Sequence, residues 1–342
     1  MSDIDFVKLQ FAKSLENNTN LNLVITKEGD EDSIISIEFD DDSLENSVIL
    51  NFLNPLEDNP RIVYPIGFCN GLLCLCILTR SQQLFAVLNV STRKHWFFHD
   101  LGHERLIENK FYFQSFVYDS SDDDYKVVRI TTLGENLGCE MMLYSLRENA
   151  WKQFSKDFPY SICYFTESSY FEGEGGLDAR VLGNIIHYLV VPITGKRINM
   201  IVGFDFSTEN YNEVPLPDSL VSSDIQLHMT VLGGYLCVVS WDKETYWVGD
   251  HVWIMKEYGV KKSWTKLFTV RQDEDHSCIF PVAYSRIRED NMLLMINDAY
   301  APTKRLAWYD LKKKEVNVVT KLKRIMPENF FAQVMVGSLV FT

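Results

Sequence analysis

Hydrophobic positions along this chain fall in short runs rather than at helical spacing. Aromatic and β-branched residues gather in stretches of a few residues, bounded by Gly, Asn, Asp and Ser, which is the pattern of many short strands joined by turns. Gly67-Phe68-Cys69-Asn70-Gly71-Leu72-Leu73-Cys74-Leu75-Cys76 sets an Asn-Gly pair between two apolar runs. Both residues tolerate the positive φ of a tight hairpin, so a hairpin is predicted there. Leu182 to Tyr188 and Leu232 to Cys237 repeat the arrangement. Helical periodicity is scarce: Ile4, Phe6, Val7, Leu9, Phe11 and Leu15 fit one short N-terminal helix, and Leu44 to Phe52 another turn or two.

A longer-range pattern overlies the strands. A polar turn between two strands recurs at Leu88 to Trp96, Leu143 to Trp151, Phe204 to Tyr211, Trp253 to Trp264 and Trp308 to Val316. With Asn89, Tyr144, Asp205, Trp253 and Asp310 as markers, the steps are 55, 61, 48 and 57 residues, each close to one four-stranded propeller blade. Five blades follow directly. The leftover strands, Leu21 to Ile25, Ile34 to Phe39 and Val334 to Phe341, are expected to build a sixth blade from both ends of the chain and so close the ring. The expected fold is therefore all-β: a β-propeller of six four-stranded blades, with a short N-terminal helical segment.

Composition narrows the function. The 342 residues carry 33 Lys+Arg against 47 Asp+Glu, a formal net charge of −14. An acidic surface opposes general binding to phosphate backbones, so no nucleic-acid partner is expected. The most apolar run, Ile66 to Leu78, is broken by Asn70 and Gly71 and is too short for a spanning helix, so no membrane partner is expected either. The acidic start, Met1 to Asp5, lacks the features of a signal peptide. Seven cysteines, several in apolar strands, read as free thiols of a cytoplasmic or nuclear protein.

Candidate chemistry is thin. His95, His99 and His103 have the spacing of metal ligands on a helix, yet Trp96-Phe97-Phe98 between them reads as strand. Cys74-Leu75-Cys76 places two thiols on one strand face without the second pair a zinc site needs. Asp30-Glu31-Asp32, Asp40-Asp41-Asp42 and Asp122-Asp123-Asp124 lack the spacing of a calcium loop and read as solvated loops. Lys312-Lys313-Lys314, with Lys321, Lys323 and Arg324, reads as a basic turn tip or a docking contact. The sequence holds no Gly-x-Ser-x-Gly elbow and no phosphate-cradling glycine loop. The expectation is a protein that is not an enzyme and needs no cofactor or metal.

Several segments together resemble the F-box-associated domain of plant F-box proteins of the F-box/kelch-repeat type. They are Phe68 to Leu75, Val117 to Arg129, Tyr144 to Arg147 with Trp151, Phe204-Asp205 with Val214 to Pro217, and Val252 to Val260 with Ser263 to Leu267. The resemblance spans residues 60 to 320 and rests on the order and spacing of the motifs. It implies a kelch-like propeller that recognises a target protein for an SCF-type ubiquitin ligase. Family members carry an F-box that docks on a Skp adaptor and, through it, a cullin. Here residues 1–18 resemble the segment that follows such an F-box, with the propeller domain over 19–342. Partnership with Skp adaptor and cullin is thus expected only where an F-box is supplied.

Loops carry function on rigid scaffolds, and Trp, Tyr and Arg dominate binding hot spots. With blade strands lettered A to D, the B–C and D–A connections share one rim. Trp241 to Trp247, Thr194 to Arg197 and Asn297 to Lys304 read as B–C loops, and Pro159 to Gly176 as a D–A connection. The expected target-binding residues are Trp241, Tyr246, Trp247, Tyr164, Tyr170, Phe171 and Tyr300. The alternatives are a glycan- or small-molecule-binding propeller using the same aromatic rim, and a propeller hydrolase.

Overall fold

The computed structural model describes residues 21–27, 33–39, 44, 47–51, 62–78, 83–99, 112–132, 139–154, 158, 160–162, 179–192, 198–242, 249–270, 276–285, 287–288, 290–298, 303–320, 322, 326–328 and 330–336. The fold is a six-bladed β-propeller. One blade joins the two ends of the chain: β1 (Leu21–Lys27), β2 (Ser33–Glu38) and β3 (Ser47–Asn51) are completed by β25 (Phe330–Val336), in the order β25-β1-β2-β3. The next holds β4 (Ile62–Cys69), β5 (Leu72–Leu78), β6 (Gln83–Asn89) and β7 (His95–His99). The third runs through β8 (Tyr112–Asp119), β9 (Asp124–Thr132), β10 (Cys139–Ser145) and β11 (Ala150–Gln153). The fourth contains β12 (Tyr160–Ile162), β13 (Ala179–Leu182), β14 (Ile185–Pro192), β15 (Met200–Asp205) and β16 (Asn210–Val214). The last two are β17 (Ile225–Leu232), β18 (Tyr235–Asp242), β19 (Asp250–Met255) and β20 (Trp264–Val270), then β21 (His276–Tyr284), β22 (Asn291–Asp298), β23 (Lys304–Asp310) and β24 (Glu315–Val318). Helix among the described residues is confined to short 3-10 turns such as Asp218–Leu220 and Lys261–Ser263.

The chain divides into two compact units: Met1–Gly102, Val282–Met295 and Pro302–Thr342 form one, and His103–Pro281 with Ile296–Ala301 the other. In the first, Val24, Ile34 and Met335 of the two-ended sheet pack with Leu73, Leu75, Ile77, Ala86 and Leu88 of β5 and β6. In the second, Val128, Ile130 and Met141 of β9 and β10 meet Ile186, Tyr188, Val202 and Phe204 of β14 and β15. A further layer joins Leu189 and Ile201 to Leu227, Met229 and Val238. A sheet covered on both faces buries its middle strands on both sides, which is why successive residues of β6, β14 and β18 are buried in unbroken runs, most of them apolar. The outer strands β11 and β24 are largely exposed, with one half-buried residue each, Trp151 and Val316.

The hairpin predicted at Asn70-Gly71 forms, with both residues at positive φ, 49° and 76°. The recurring polar turns also share a geometry that their sequences only hint at. Their first residue is polar and its side chain accepts a backbone N–H from within the turn. Asn89 Oδ1 accepts from Thr92 at 2.9 Å, Ser145 Oγ from Glu148 at 3.0 Å, Asp205 Oδ1 from Ser207 at 2.9 Å, and Asp310 Oδ1 from Lys313 at 2.8 Å. Four residues on, the chain turns left-handed each time, at Arg93 (60°), Asn149 (51°), Glu209 (52°) and Lys314 (61°). The β8–β9 turn adopts the same form, with Asp119 as the cap and Asp123 at φ 51°. The turn between β19 and β20 departs from it: Gly259 takes positive φ (78°), and a 3-10 turn at Lys261–Ser263 follows.

Three local expectations are corrected. Leu44 to Phe52, read as a helical turn, contains the strand β3, whose Val48 and Ile49 pair with Ser36 and Ile35 of β2; two adjacent β-branched residues favour extended backbone once a partner strand is present. Pro159 to Gly176 is not simply a connection between blades, because Tyr160–Ile162 is strand β12, paired with β14 at Val190, Val191 and Pro192. Asp122-Asp123-Asp124 is not wholly a solvated loop, since Asp124 is buried. The N-terminal helix expected over residues 4–15 lies outside the described residues.

Candidate functional site

Of the seven residues expected to bind a target, Trp241 is described. It is not in a loop: it occupies the end of β18, half-buried, with Gln226 of β17 as its register partner. The alternation Val238-Val239-Ser240-Trp241 runs on as strand because β17 extends to Ile225 and pairs with Asp242. Tyr246 and Trp247 fall between β18 and β19, Tyr300 between β22 and β23, and Tyr164, Tyr170 and Phe171 between β12 and β13; all six lie outside the described residues. Their place in the chain is nonetheless informative. β12 leaves β14 at Val190 and β13 rejoins it at Tyr188, so the stretch carrying Tyr164, Tyr170 and Phe171 interrupts the first strand of its sheet.

Single polar contacts fix the connections and strands of the sheet that carries Trp241. Asn199, just before β15, donates from its side-chain amide toward three carbonyls, Leu220 at 3.2 Å, Ser222 at 2.9 Å and Ile225 at 2.8 Å, while its backbone N–H donates to Val221 O at 3.0 Å. One side chain thereby pins the connection from β16 to β17 against its neighbour. Trp264 Nε1 holds the start of the same connection through Pro215 O at 2.8 Å. Asp250, fully buried at the start of β19, accepts the N–H of Ile279 at 2.8 Å and so ties β19 to β21. Beside Trp241, the Ser240 hydroxyl accepts from Trp253 Nε1 at 3.1 Å, and the Lys266 ammonium lies 4.9 Å from the centre of a Trp253 ring. Sequence reading passed over Asn199 and Asp250 because single polar residues at strand ends carry no pattern.

His251 Nδ1 lies 2.9 Å from Thr269 Oγ1. The two are register partners across β19 and β20, so their contact is an ordinary cross-strand pair. Burial lowers the His251 pKa, and the neighbouring Lys266 charge lowers it further.

In the third sheet the β8–β9 and β10–β11 turns are knitted by charge and hydrogen bonds. The buried Asp119 carboxylate takes Lys126 Nζ at 2.5 Å, and Lys126 reaches Asp122 at 2.6 Å. The salt link to Lys126 and the hydrogen bonds from Ser121 outweigh burial and hold the Asp119 carboxyl below its usual range. Asp124 accepts the Ser145 hydroxyl at 2.5 Å and the Arg147 N–H at 3.0 Å, joining the β8–β9 and β10–β11 turns. Ser120 N–H donates to Asn184 Oδ1 of the next sheet at 3.1 Å.

Between the β14–β15 pair and the following sheet sits a second fixed point. His187 is fully buried, with Nδ1 3.1 Å from Arg180 O and Nε2 2.8 Å from the Tyr258 hydroxyl. A carbonyl only accepts, so Nδ1 carries the proton and Nε2 accepts from Tyr258. Burial lowers the imidazole pKa to about 4. Gly203 makes room for this contact: a Cβ there would stand 2.8 Å from Ile185 Cγ2 and 3.3 Å from the Tyr258 oxygen.

Residues weighed for metal binding are spread apart by the fold. His95 and His99 are the two ends of β7, about 13 Å apart at strand rise, and His103 lies outside the described residues. Cys74 and Cys76 are buried in β5, and burial raises the Cys74 thiol pKa. Among the described residues no group of three or more His, Cys, Asp or Glu is placed to hold a metal ion.

The molecule is thus a blade-repeat scaffold whose strand ends are locked by single polar anchors and carry an aromatic residue beside longer connections. The chain belongs to the F-box associated beta propeller domain family, which matches residues 22–340. The F-box protein CPR1 of Arabidopsis thaliana is 29% identical over 364 residues, covering 99% of this chain and 81% of that protein. The Arabidopsis thaliana F-box protein At4g22390 is 30% identical over 80% of this chain and 68% of its own length. Among solved structures, TolB from Acinetobacter baumannii matches with a TM-score of 0.47 at 10% identity, over 92% of this chain and 66% of that one.

Proposed function

We propose that this propeller is the target-recognition part of an SCF-type ubiquitin ligase receptor, presenting a target protein for ubiquitination. The observation that supports it is family membership over residues 22–340, with relatives that are themselves F-box proteins. In this reading Trp241 and the connections beside it, with Tyr246, Trp247, Tyr164, Tyr170, Phe171 and Tyr300, grip the target. Anchors such as Asn199 and Asp250 keep the strand ends rigid, so little ordering entropy opposes binding. The propeller recognises and does not catalyse; ubiquitin transfer belongs to the assembled ligase. A Skp adaptor and cullin join through an F-box, and the protein works in the cytoplasm or nucleus. The cysteines Cys69, Cys74, Cys76, Cys139, Cys237 and Cys278, all free, suit a reducing compartment.

The test is proximity labelling in plant tissue with this chain and with the same chain fused behind an F-box. The expected outcome is a shared set of target proteins, with Skp adaptor and cullin recovered only by the fusion. The triple variant Trp241→Ala, Tyr246→Ala, Tyr170→Ala should lose the shared set. Full retention by a folded triple variant would overturn the assigned site, and failure of the fusion to recover the adaptor would overturn the ligase reading.

A further inference from the structure

The turn between β19 and β20, which departs from the repeating form, is exposed throughout from Lys256 to Lys262, yet it is fastened from several sides. The Tyr258 hydroxyl donates to the buried His187 of the preceding blade at 2.8 Å, and the two rings meet edge-on with centroids 5.5 Å apart. The Ser263 hydroxyl reaches the Glu257 and Val260 carbonyls, each at 2.8 Å, and the Gly259 N–H lies 3.1 Å from Met255 Sδ. Lys261 Nζ joins Asp218 at 2.5 Å. This fastening does not cover the turn: Tyr258 remains 44% exposed and Val260, two residues on, 38%. A rigid aromatic ring beside an aliphatic side chain, ordered before any partner arrives, gives contact area at little entropic cost.

The occupant follows from charge. From Asp250 to Val270 the chain holds four lysines, Lys256, Lys261, Lys262 and Lys266, against two acids. Of these acids Asp250 is buried on the Ile279 N–H, and Glu257 alone is exposed. Lys261 is matched by Asp218, whereas among the described residues no carboxylate pairs with Lys256 or Lys262. The adjacent β15–β16 hairpin carries Asp205, Glu209 and Glu213 and no lysine or arginine, so it turns anionic groups away from that side and onto β19–β20. A long phosphate backbone would meet those acids and the net charge of −14; a short acidic segment meets the lysines. We propose that the β19–β20 turn docks an acidic segment of another protein. An apolar side chain of that segment packs on Tyr258 and Val260, and its carboxylates pair with Lys256 and Lys262. The turn lies at the end of β19 opposite to the connection that carries Tyr246 and Trp247, so the surface stands independently of the target site proposed above.

The experiment uses the full chain and three fluorescent peptides, read by anisotropy. One has two leucines between aspartate pairs, the second the same leucines between lysine pairs, and the third two serines between aspartate pairs. The first should bind and should slow amide hydrogen exchange over residues 256–263, and the other two should bind at least roughly tenfold more weakly. Val260→Asp, and separately the pair Lys256→Glu with Lys262→Glu, should weaken the first peptide to the same degree. Thermal unfolding should stay unchanged in both variants, because the replaced side chains are exposed. Unchanged binding by either folded variant, protection confined to other residues, or no binding at all would overturn the site. Equal binding of the serine-centred peptide would reduce the effect to charge attraction and overturn the apolar contact. Concentration-dependent dimerisation that Val260→Asp abolishes would assign the surface to a second copy and overturn the proposed occupant.

Discussion

His187 shows how one buried side chain sets a pH limit. Its folded pKa of about 4 lies below the 6.5 of a free imidazole because burial disfavours the charged ring. The unfolded chain therefore binds the proton more readily, and stability present above pH 6.5 is lost as pH falls toward 4. The full difference amounts to roughly 3 kcal/mol. Urea unfolding at pH 7 and pH 4.5 should show this loss, and His187→Gln should flatten the part of it that the imidazole supplies. At the facing hydroxyl, Tyr258→Phe leaves Nε2 without its donor and should cost about 1–3 kcal/mol at pH 7. Gly203→Ala forces a methyl against Ile185 and the Tyr258 oxygen, and should lower Tm through a cost of about 1–3 kcal/mol. These three positions face one another, so their effects should fail to add, which a double-mutant cycle of Gly203→Ala with Tyr258→Phe reads directly.

For elements, the repeating turn gives predictions of opposite sign at neighbouring positions. Glu209 adopts a left-handed conformation without being glycine, so Glu209→Gly relieves strain and should stabilise by up to about 1 kcal/mol, less the added backbone freedom of the unfolded chain. Asp205→Ala removes the cap on Ser207 and should destabilise by about 1 kcal/mol; thermal melts of both variants decide it. The Ser207 hydrogen bonds also hold the Asp205 carboxyl below its usual range, so that contribution should fade as acid protonates it. Repetition is what made the blades legible, because Asn89, Ser145, Asp205 and Asp310 each open a polar turn between apolar strands. What repetition could not show was whatever happens once. Among the described residues the interruption between β12 and β13 has no counterpart in the other sheets, and the charged residues that follow Trp241 suggest a loop because they hide how far β17 extends. β3 misled for a different reason: Leu44, Val48 and Ile49 fit a helical spacing, and only the partner β2 decides for strand. The candidate site was read from aromatic residues in long connections, whereas the polar anchors that hold the described strand ends, Asn199 and Asp250, are isolated residues whose role emerges from three-dimensional partners.

Across the whole molecule the excess of acidic residues is a statement about association. A chain of net charge −14 attracts basic partners over a range set by ionic strength, with a screening length of about 8 Å at physiological salt. Capture of a basic partner should therefore weaken steeply between low and high salt, chiefly through slower association, which stopped-flow or surface measurements can separate from dissociation. The blade made from both chain ends carries a different consequence. Synthesis proceeds from the N-terminus, and β1, β2 and β3 emerge early, but β1 gains its other neighbour only when Phe330–Val336 arrives. Until Phe330–Val336 has left the ribosome those earlier-made strands wait with a raw flank, a stage at which chaperones guard against mispairing.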